Sequence, residues 1–200
     1  MRIVAVGAHP DDIEFGCFGT LSHYSSTGNK IFIVLLSSGE LSEKAEIRER
    51  EARESAELIN AEIKFFRFPD ANIEVNNKTI DVFRNCMSNI KPDTLFVHHP
   101  YDRHQDHVAT NKICLSSANY FDKVLFYEGP STVDFIPNVY VTIDRHFDKK
   151  VKGLNTFESQ SKKPYLNMEY VKGLAQYQAC QCGQYGHLCE AFYCYKWIEV

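Results

Sequence analysis

Two kinds of patterning alternate along the chain. Unbroken apolar runs rich in β-branched residues stand at 2–7 (RIVAVG) and 30–37 (KIFIVLLS). They lack the alternation of a half-exposed strand and predict strands buried on both faces, as in a parallel sheet. By contrast, the charged stretch 43–59 sets Ile47, Ala52, Ala56 and Ile59 at helical intervals. It predicts an amphipathic helix with Ser42 as N-cap and a solvated charged face. Further strands are predicted at 63–68, 94–99, 123–129 and 138–143, and a closing strand in the alternating run 191–200. Helices are predicted near 77–90, 107–118 and 146–159, with another after Pro164. Strand followed by helix with short connections predicts an α/β domain around a mainly parallel sheet. No repeat, low-complexity tract or linker divides residues 1–200, which read as one domain.

Composition narrows the partners. A formal charge of −4 argues against non-specific binding to nucleic acid or to an anionic membrane. The longest apolar run, Ile31 to Leu36, is strand-sized, far below the ~18 residues of a membrane span. Seven scattered cysteines, an odd number, read as reduced thiols of a cytoplasmic protein. Cys180-x-Cys182 has one intervening residue where zinc knuckles have two or more, so no structural zinc is assigned there.

Candidate chemistry begins where the first strand ends, in AVGAHPDDIEFGCFGT at 5–20. The carboxyl edge of an open α/β sheet is where ligands collect. Gly7, Gly16 and Gly19 do not spell the G-x-G-x-x-G of a dinucleotide site. The adjacent carboxylates of Asp11 and Asp12 repel each other, and a divalent metal held by His9 and Asp12 would relieve them. An aspartate capping a helix beside a hydrogen-bonded histidine explains this stretch alone equally well.

The segment after the fourth strand decides between them. HPYDRHQDH packs His99, Asp102, His104, Asp106 and His107 into residues 99–107. Imidazoles with a carboxylate suit zinc, and iron(II) shares the set of two histidines and one carboxylate. Spacing does not choose between His104 and His107 as the second imidazole. Of the other histidines, His98 reads as a strand-end core or gate residue, His187 as part of a surface loop, and His23 and His146 as structural. Arg48, Arg67 and Arg103 are cations that a phosphate on the substrate would need.

Ala8-His9-Pro10-Asp11-Asp12-Ile13-Glu14 and His104-Gln105-Asp106-His107 resemble the A-H-P-D-D-x-E and H-x-D-H signatures of the PIG-L/LmbE-type zinc-dependent N-acetylglucosamine deacetylases. The longer forms, Asp11 to Thr20 and Asp102 to His107, match as well, apart from Phe18 where many relatives have glycine. Phe18 is expected to reshape the metal-side loop. Arg48-x-x-Glu51 with Ser55-Ala56, Ser159-Gln160 and Glu190-Ala191-Phe192 extend the likeness.

The resemblance implies a Rossmann-like three-layer fold with a C-terminal extension. It implies zinc held by His9, Asp12 and His107, Asp11 as general base, and a protonated His104 as oxyanion stabiliser held and polarised by Asp106. Arg48 would bind substrate with Glu51 behind it. The substrate would be an N-acetyl amino sugar, free, in a glycoside, or linked to a nucleotide or lipid. Another metallohydrolase or iron(II) enzyme could use the same ligands. A non-catalytic sugar- or metal-binding relative would need neither Asp11 nor His104. Self-association is compatible with the sequence.

Overall fold

In the computed structural model, which describes residues 1–199, the first strand β1 (Arg2–Gly7) is central to a seven-stranded sheet. It is followed by α1 (Asp12–Gly16), α2 (Phe18–Ser26), β2 (Lys30–Leu35), α3 (Ala45–Glu57), β3 (Glu62–Phe65), α4 (Asn77–Ile90) and β4 (Thr94–His98). Then come α5 (Gln105–Leu115), β5 (Lys123–Tyr127), β6 (Val139–Thr142), α6 (Phe147–Asn155), α7 (Met168–Gln181) and β7 (Cys189–Trp197). The strand order is β3-β2-β1-β4-β5-β7-β6. The first five are parallel, and β7 pairs antiparallel with both β5 and β6.

The predicted three-layer α/β fold is therefore observed, and its cause is visible in β1. Val4 and Val6 join Phe83, Met87 and Ile113 of α4 and α5 on one face. Ile3 and Ala5 join Ile13, Leu21, Ala52 and Ala56 of α1, α2 and α3 on the other. A strand covered on both faces needs apolar residues at every position. Because β2 and β4 flank β1, the strand order reverses there, and a crevice opens at the carboxyl ends of β1 and β4.

Element ends differ from expectation where local hydrogen bonding decides. α3 begins at Ala45 with Lys44 at its N-cap; Ser42 instead donates to the Gly39 carbonyl at 2.9 Å. The segment after β1 is two short helices that meet at Cys17. α5 starts two residues earlier than predicted, at Gln105, and His104 is its N-cap. β7 starts at Cys189 and stops at Trp197; Val200, the last residue of the predicted closing strand, lies outside the described residues.

Phe18 is packed against α6. It is fully buried, and its ring fills the space beside Gly153 of α6, where a Cβ would fall 2.7 Å from Phe18 Cε1. Glu190 of β7 locks the same region. Its carboxylate accepts from the Gly19 and Thr20 amides at 3.0 and 2.7 Å, at the positive end of α2, and from Lys150 Nζ at 2.6 Å.

Candidate metal centre and its cleft

The chain turns out of β1 through Asp11, whose φ of 93° is a conformation that L-residues seldom adopt. Arg48 of α3 holds the turn: Nη2 donates to the Pro10 carbonyl and, at 3.2 Å, to Asp11 Oδ2. Lys163 Nζ lies 3.6 Å from the same oxygen. The turn also sets Asp12 at the start of α1, where its Oδ2 accepts the His9 amide at 2.7 Å. Glu14, one turn on, accepts from Ser55 Oγ of α3 at 2.7 Å, and burial pushes its carboxyl up to about 7.

The second segment is organised by Asp102, whose carboxylate has no exposed surface. Its Oδ1 accepts from the His104 amide at 2.8 Å and Ser131 Oγ at 2.5 Å. Oδ2 accepts from Thr132 Oγ1 at 2.9 Å and lies 3.1 Å from His107 Nδ1. The other nitrogen of that ring, Nε2, then faces Asp12 Oδ1 at 3.3 Å.

Asp12 is the hub of the cluster. His9 Nδ1 is 3.5 Å from its Oδ2, and His98 Nε2 is 3.1 Å from the same oxygen. Asp12 therefore contacts both His9 and His107, but the anticipated set of His9, Asp12 and His107 is not itself one of the convergent groups among the described residues. Donor atoms converge within 4.8 Å in three groups: His9, His104 and His107; Asp12, His98 and His107; and His9, Asp70 and Asp106. His107 belongs to two of them. His98, read from the sequence as core or gate, is fully buried and stacks on His107 with centroids 3.9 Å apart.

Asp106 is the main correction. Its carboxylate does not hold the His104 ring. Oδ2 lies 3.1 Å from His9 Nε2 and accepts the Ala71 amide at 2.8 Å, while Oδ1 accepts the Ile73 amide at 3.2 Å. It is the backbone amide of Asp106 that donates to His104 Nδ1, at 3.3 Å. In a neutral ring that contact leaves the proton on Nε2. The physical reason is the N-cap position of His104, which turns its ring back onto the first turn of α5 while Asp106 points to the loop after β3. Asp70, from that loop, gives His9 Nε2 a second carboxylate at 3.1 Å.

The charges show what the cluster fits. Burial alone would raise Asp12, but His107 and His98 beside it hold its carboxyl well below the ordinary value. Burial would lower His107, yet Asp12 and Asp102 push it up to about 9. His9 is raised as well, since its hydrogen bonds to the carboxylates of Asp106, Asp12 and Asp70 outweigh its burial. The buried carboxylates are thus balanced by protons on His9 and His107, in the place where a divalent cation would put its charge, whereas burial and His107 lower His98 to about 4. Two imidazoles and a carboxylate, each backed by a further carboxylate or amide, are a donor set for zinc or iron(II). His104 goes the other way: burial and the neighbouring imidazoles lower it.

His9, Asp11, Asp12, Asp70, His104 and His107 line one cavity of about 460 Å³, while His98, Asp102 and Asp106 are not in its lining. Arg48 is in its wall, with Glu51 3.9 Å from Nη1, and Glu51 in turn accepts from the Ser159 amide and hydroxyl at 2.9 and 2.7 Å. Arg67 does not line the cavity; it pairs with Glu49 at 2.7 Å. Arg103 is exposed and outside the lining too. His99 faces away, edge-on to Phe135 with centroids 5.3 Å apart. His187 pairs with Asp144 at 2.7 Å at the surface. Asp70, Lys163 and Tyr165 are cavity residues that sequence reasoning missed; none sits in a metal motif.

Residues 4–118 match the family model PIG-L, described as GlcNAc-PI de-N-acetylase. The chain is 29% identical over 167 residues to the uncharacterized deacetylase YaiS of Escherichia coli K12, covering 78% of this chain and 90% of that one. Among solved structures, it superposes on the N,N′-diacetylchitobiose deacetylase of Pyrococcus horikoshii with a TM-score of 0.83 at 20% identity, over 96% of this chain and 83% of that one. It also superposes on the 4-carboxy-2-hydroxymuconate hydratase GalB of Pseudomonas putida KT2440, with a TM-score of 0.85 at 18% identity, over 100% and 97% of the two chains. The fold is therefore shared by enzymes of different chemistry, and function has to be argued from the site.

Proposed function

The chain belongs to the PIG-L family, and from that premise we propose that it is a metal-dependent hydrolase that removes the acetyl group from an N-acetylated amino sugar. One observation carries the reading. Asp11, a buried carboxylate made neither a hub nor a partner of the imidazoles, shares a cavity with the Asp12–His9–His107 cluster and with His104. Holding a metal needs neither Asp11 nor His104; amide hydrolysis needs a base and an oxyanion donor.

His9, Asp12 and His107 would hold the ion, zinc in the first instance and iron(II) in the second. When bound, it supplies Lewis acidity toward water and the acyl carbonyl. Arg48 and Lys163 both contact Oδ2 of Asp11, so Oδ1 takes the proton of the attacking water. Burial raises the Asp11 carboxyl, against Arg48 and Lys163, which makes it a better base than a surface aspartate. The same carboxyl then delivers the proton to the departing amine nitrogen, and no covalent intermediate is required. His104, fixed by the Asp106 amide with its proton on Nε2, donates to the oxyanion as a neutral imidazole. On this reading His104 is a neutral donor in place of the cation polarised by Asp106 that the resemblance implies.

The test is acetate release from N-acetylglucosamine and its simple glycosides under anaerobic conditions. Turnover without oxygen supports hydrolysis. Oxygen-dependent turnover, or addition of water to an unsaturated acid with no acetate release, would replace this reading with that of another enzyme on the same fold.

A further inference from the structure

The cavity does not end at the metal centre. A second basin of about 380 Å³ is lined by Phe15, Pro130, Pro164, Tyr165, Tyr170 and Leu174. Three of these, Phe15, Pro130 and Tyr165, also line the catalytic cavity, so the two spaces lie side by side and share a wall. Their chemistry differs. The first holds carboxylates, imidazoles, Arg48 and Lys163; no charged side chain lines the second. Tyr170, in the first turn of α7, is 66% exposed and Pro164 is exposed, although the apolar cluster of Phe15, Leu166 and Val171 lies directly beneath. Tyr165 is braced in place, edge-on to Phe15 with centroids 6.3 Å apart.

Resting on the deacetylase reading, we propose that this basin is the subsite for the group attached to the amino sugar, and that it takes an uncharged ring with an apolar face. An aryl aglycone and the C–H face of a second pyranose share that chemistry. Aromatic and proline surfaces beside a polar centre recognise such rings by contact and by excluding water. A phosphate-linked substituent finds no counterpart. The two cations of the catalytic cavity, Arg48 and Lys163, both already face Asp11 Oδ2, at 3.2 and 3.6 Å.

The experiment compares kcat/KM for acetate release from N-acetylglucosamine, its methyl and phenyl β-glycosides, N,N′-diacetylchitobiose and uridine-diphosphate N-acetylglucosamine. The phenyl glycoside or the disaccharide is expected to exceed the methyl glycoside by about tenfold, the size of one good buried ring contact. Which of the two leads distinguishes an aryl occupant from a sugar. Tyr170→Ala and Leu174→Ser are expected to bring the ratio of ring-bearing to methyl glycoside back toward one. Equal values across the glycosides, or preference for the nucleotide sugar, would overturn the subsite and leave the deacetylase reading standing. Acetate release from none of them would overturn both.

Discussion

The Asp102 carboxylate lies 3.1 Å from Nδ1 of His107, on the opposite edge of the ring from Asp12, which faces Nε2 at 3.3 Å. One side chain therefore settles which nitrogen of His107 is turned toward Asp12. It also fixes the loop, because its other oxygen holds the His104 amide and Ser131. Asp102→Asn keeps the shape and removes the charge. It is expected to weaken metal affinity by about 10- to 100-fold. Competition against a chromogenic chelator measures this, with far-UV circular dichroism unchanged.

His9 and His104 are expected to separate. His9→Ala loses the metal, whereas His104→Ala keeps it and loses about 10²- to 10³-fold in kcat. Metal analysis of the purified variants checks both. Equal metal loss would make His104 a ligand, as its place in the His9, His104 and His107 group allows. Asp106→Asn should behave as a His9 defect, with reduced metal retention, because its carboxylate contacts His9 and not the His104 ring.

Asp11 must be ionised to act as base, so kcat/KM should rise with pH through its titration. Burial places that limb above the ordinary aspartate value of 3.8, with Arg48 and Lys163 opposing. Removing Lys163 removes one opposing charge, so Lys163→Ala should move the limb further up in pH. Since His104 donates from its neutral form, no loss of activity is expected as pH rises from about 6.5 to 8. A pH–rate profile of wild type and variant reads both effects.

Gly153 and Phe18 form a fitted pair. A methyl group at 153 would clash with the Phe18 ring. Gly153→Ala is expected to cost about 1–3 kcal/mol in urea unfolding, as overpacking of a full core does. Adding Phe18→Leu should recover part of that loss, and the double-mutant cycle gives the coupling.

How far the sequence reaches can be judged from these residues. The apolar runs of β1 and β2 announced a sheet covered on both faces, because burial on two sides leaves a pattern that needs no partner to be seen. That His9, Asp12, His104 and His107 meet around one cavity is legible for a similar reason: residue types that are costly together are crowded into two short segments. What failed to show was contact between distant side chains. The Asp106 carboxylate was assigned to its neighbour His104, but the N-cap turn sends it to His9, ninety-seven positions away in the chain. Asp70 and Lys163 reach the cavity from loops with no pattern, and His98 differed from a core histidine only in what lies beside it.

Hydrolysis at this site would need one cation, gathered beside Asp11 by segments from the ends of β1 and β4. The direct measurement is to strip the protein with a chelator and titrate zinc back while following acetate release from an N-acetylglucosaminide. Activity that falls to background and returns in proportion to metal, saturating at one equivalent per chain, is the expected result. Full acetate release from the stripped protein would contradict the account.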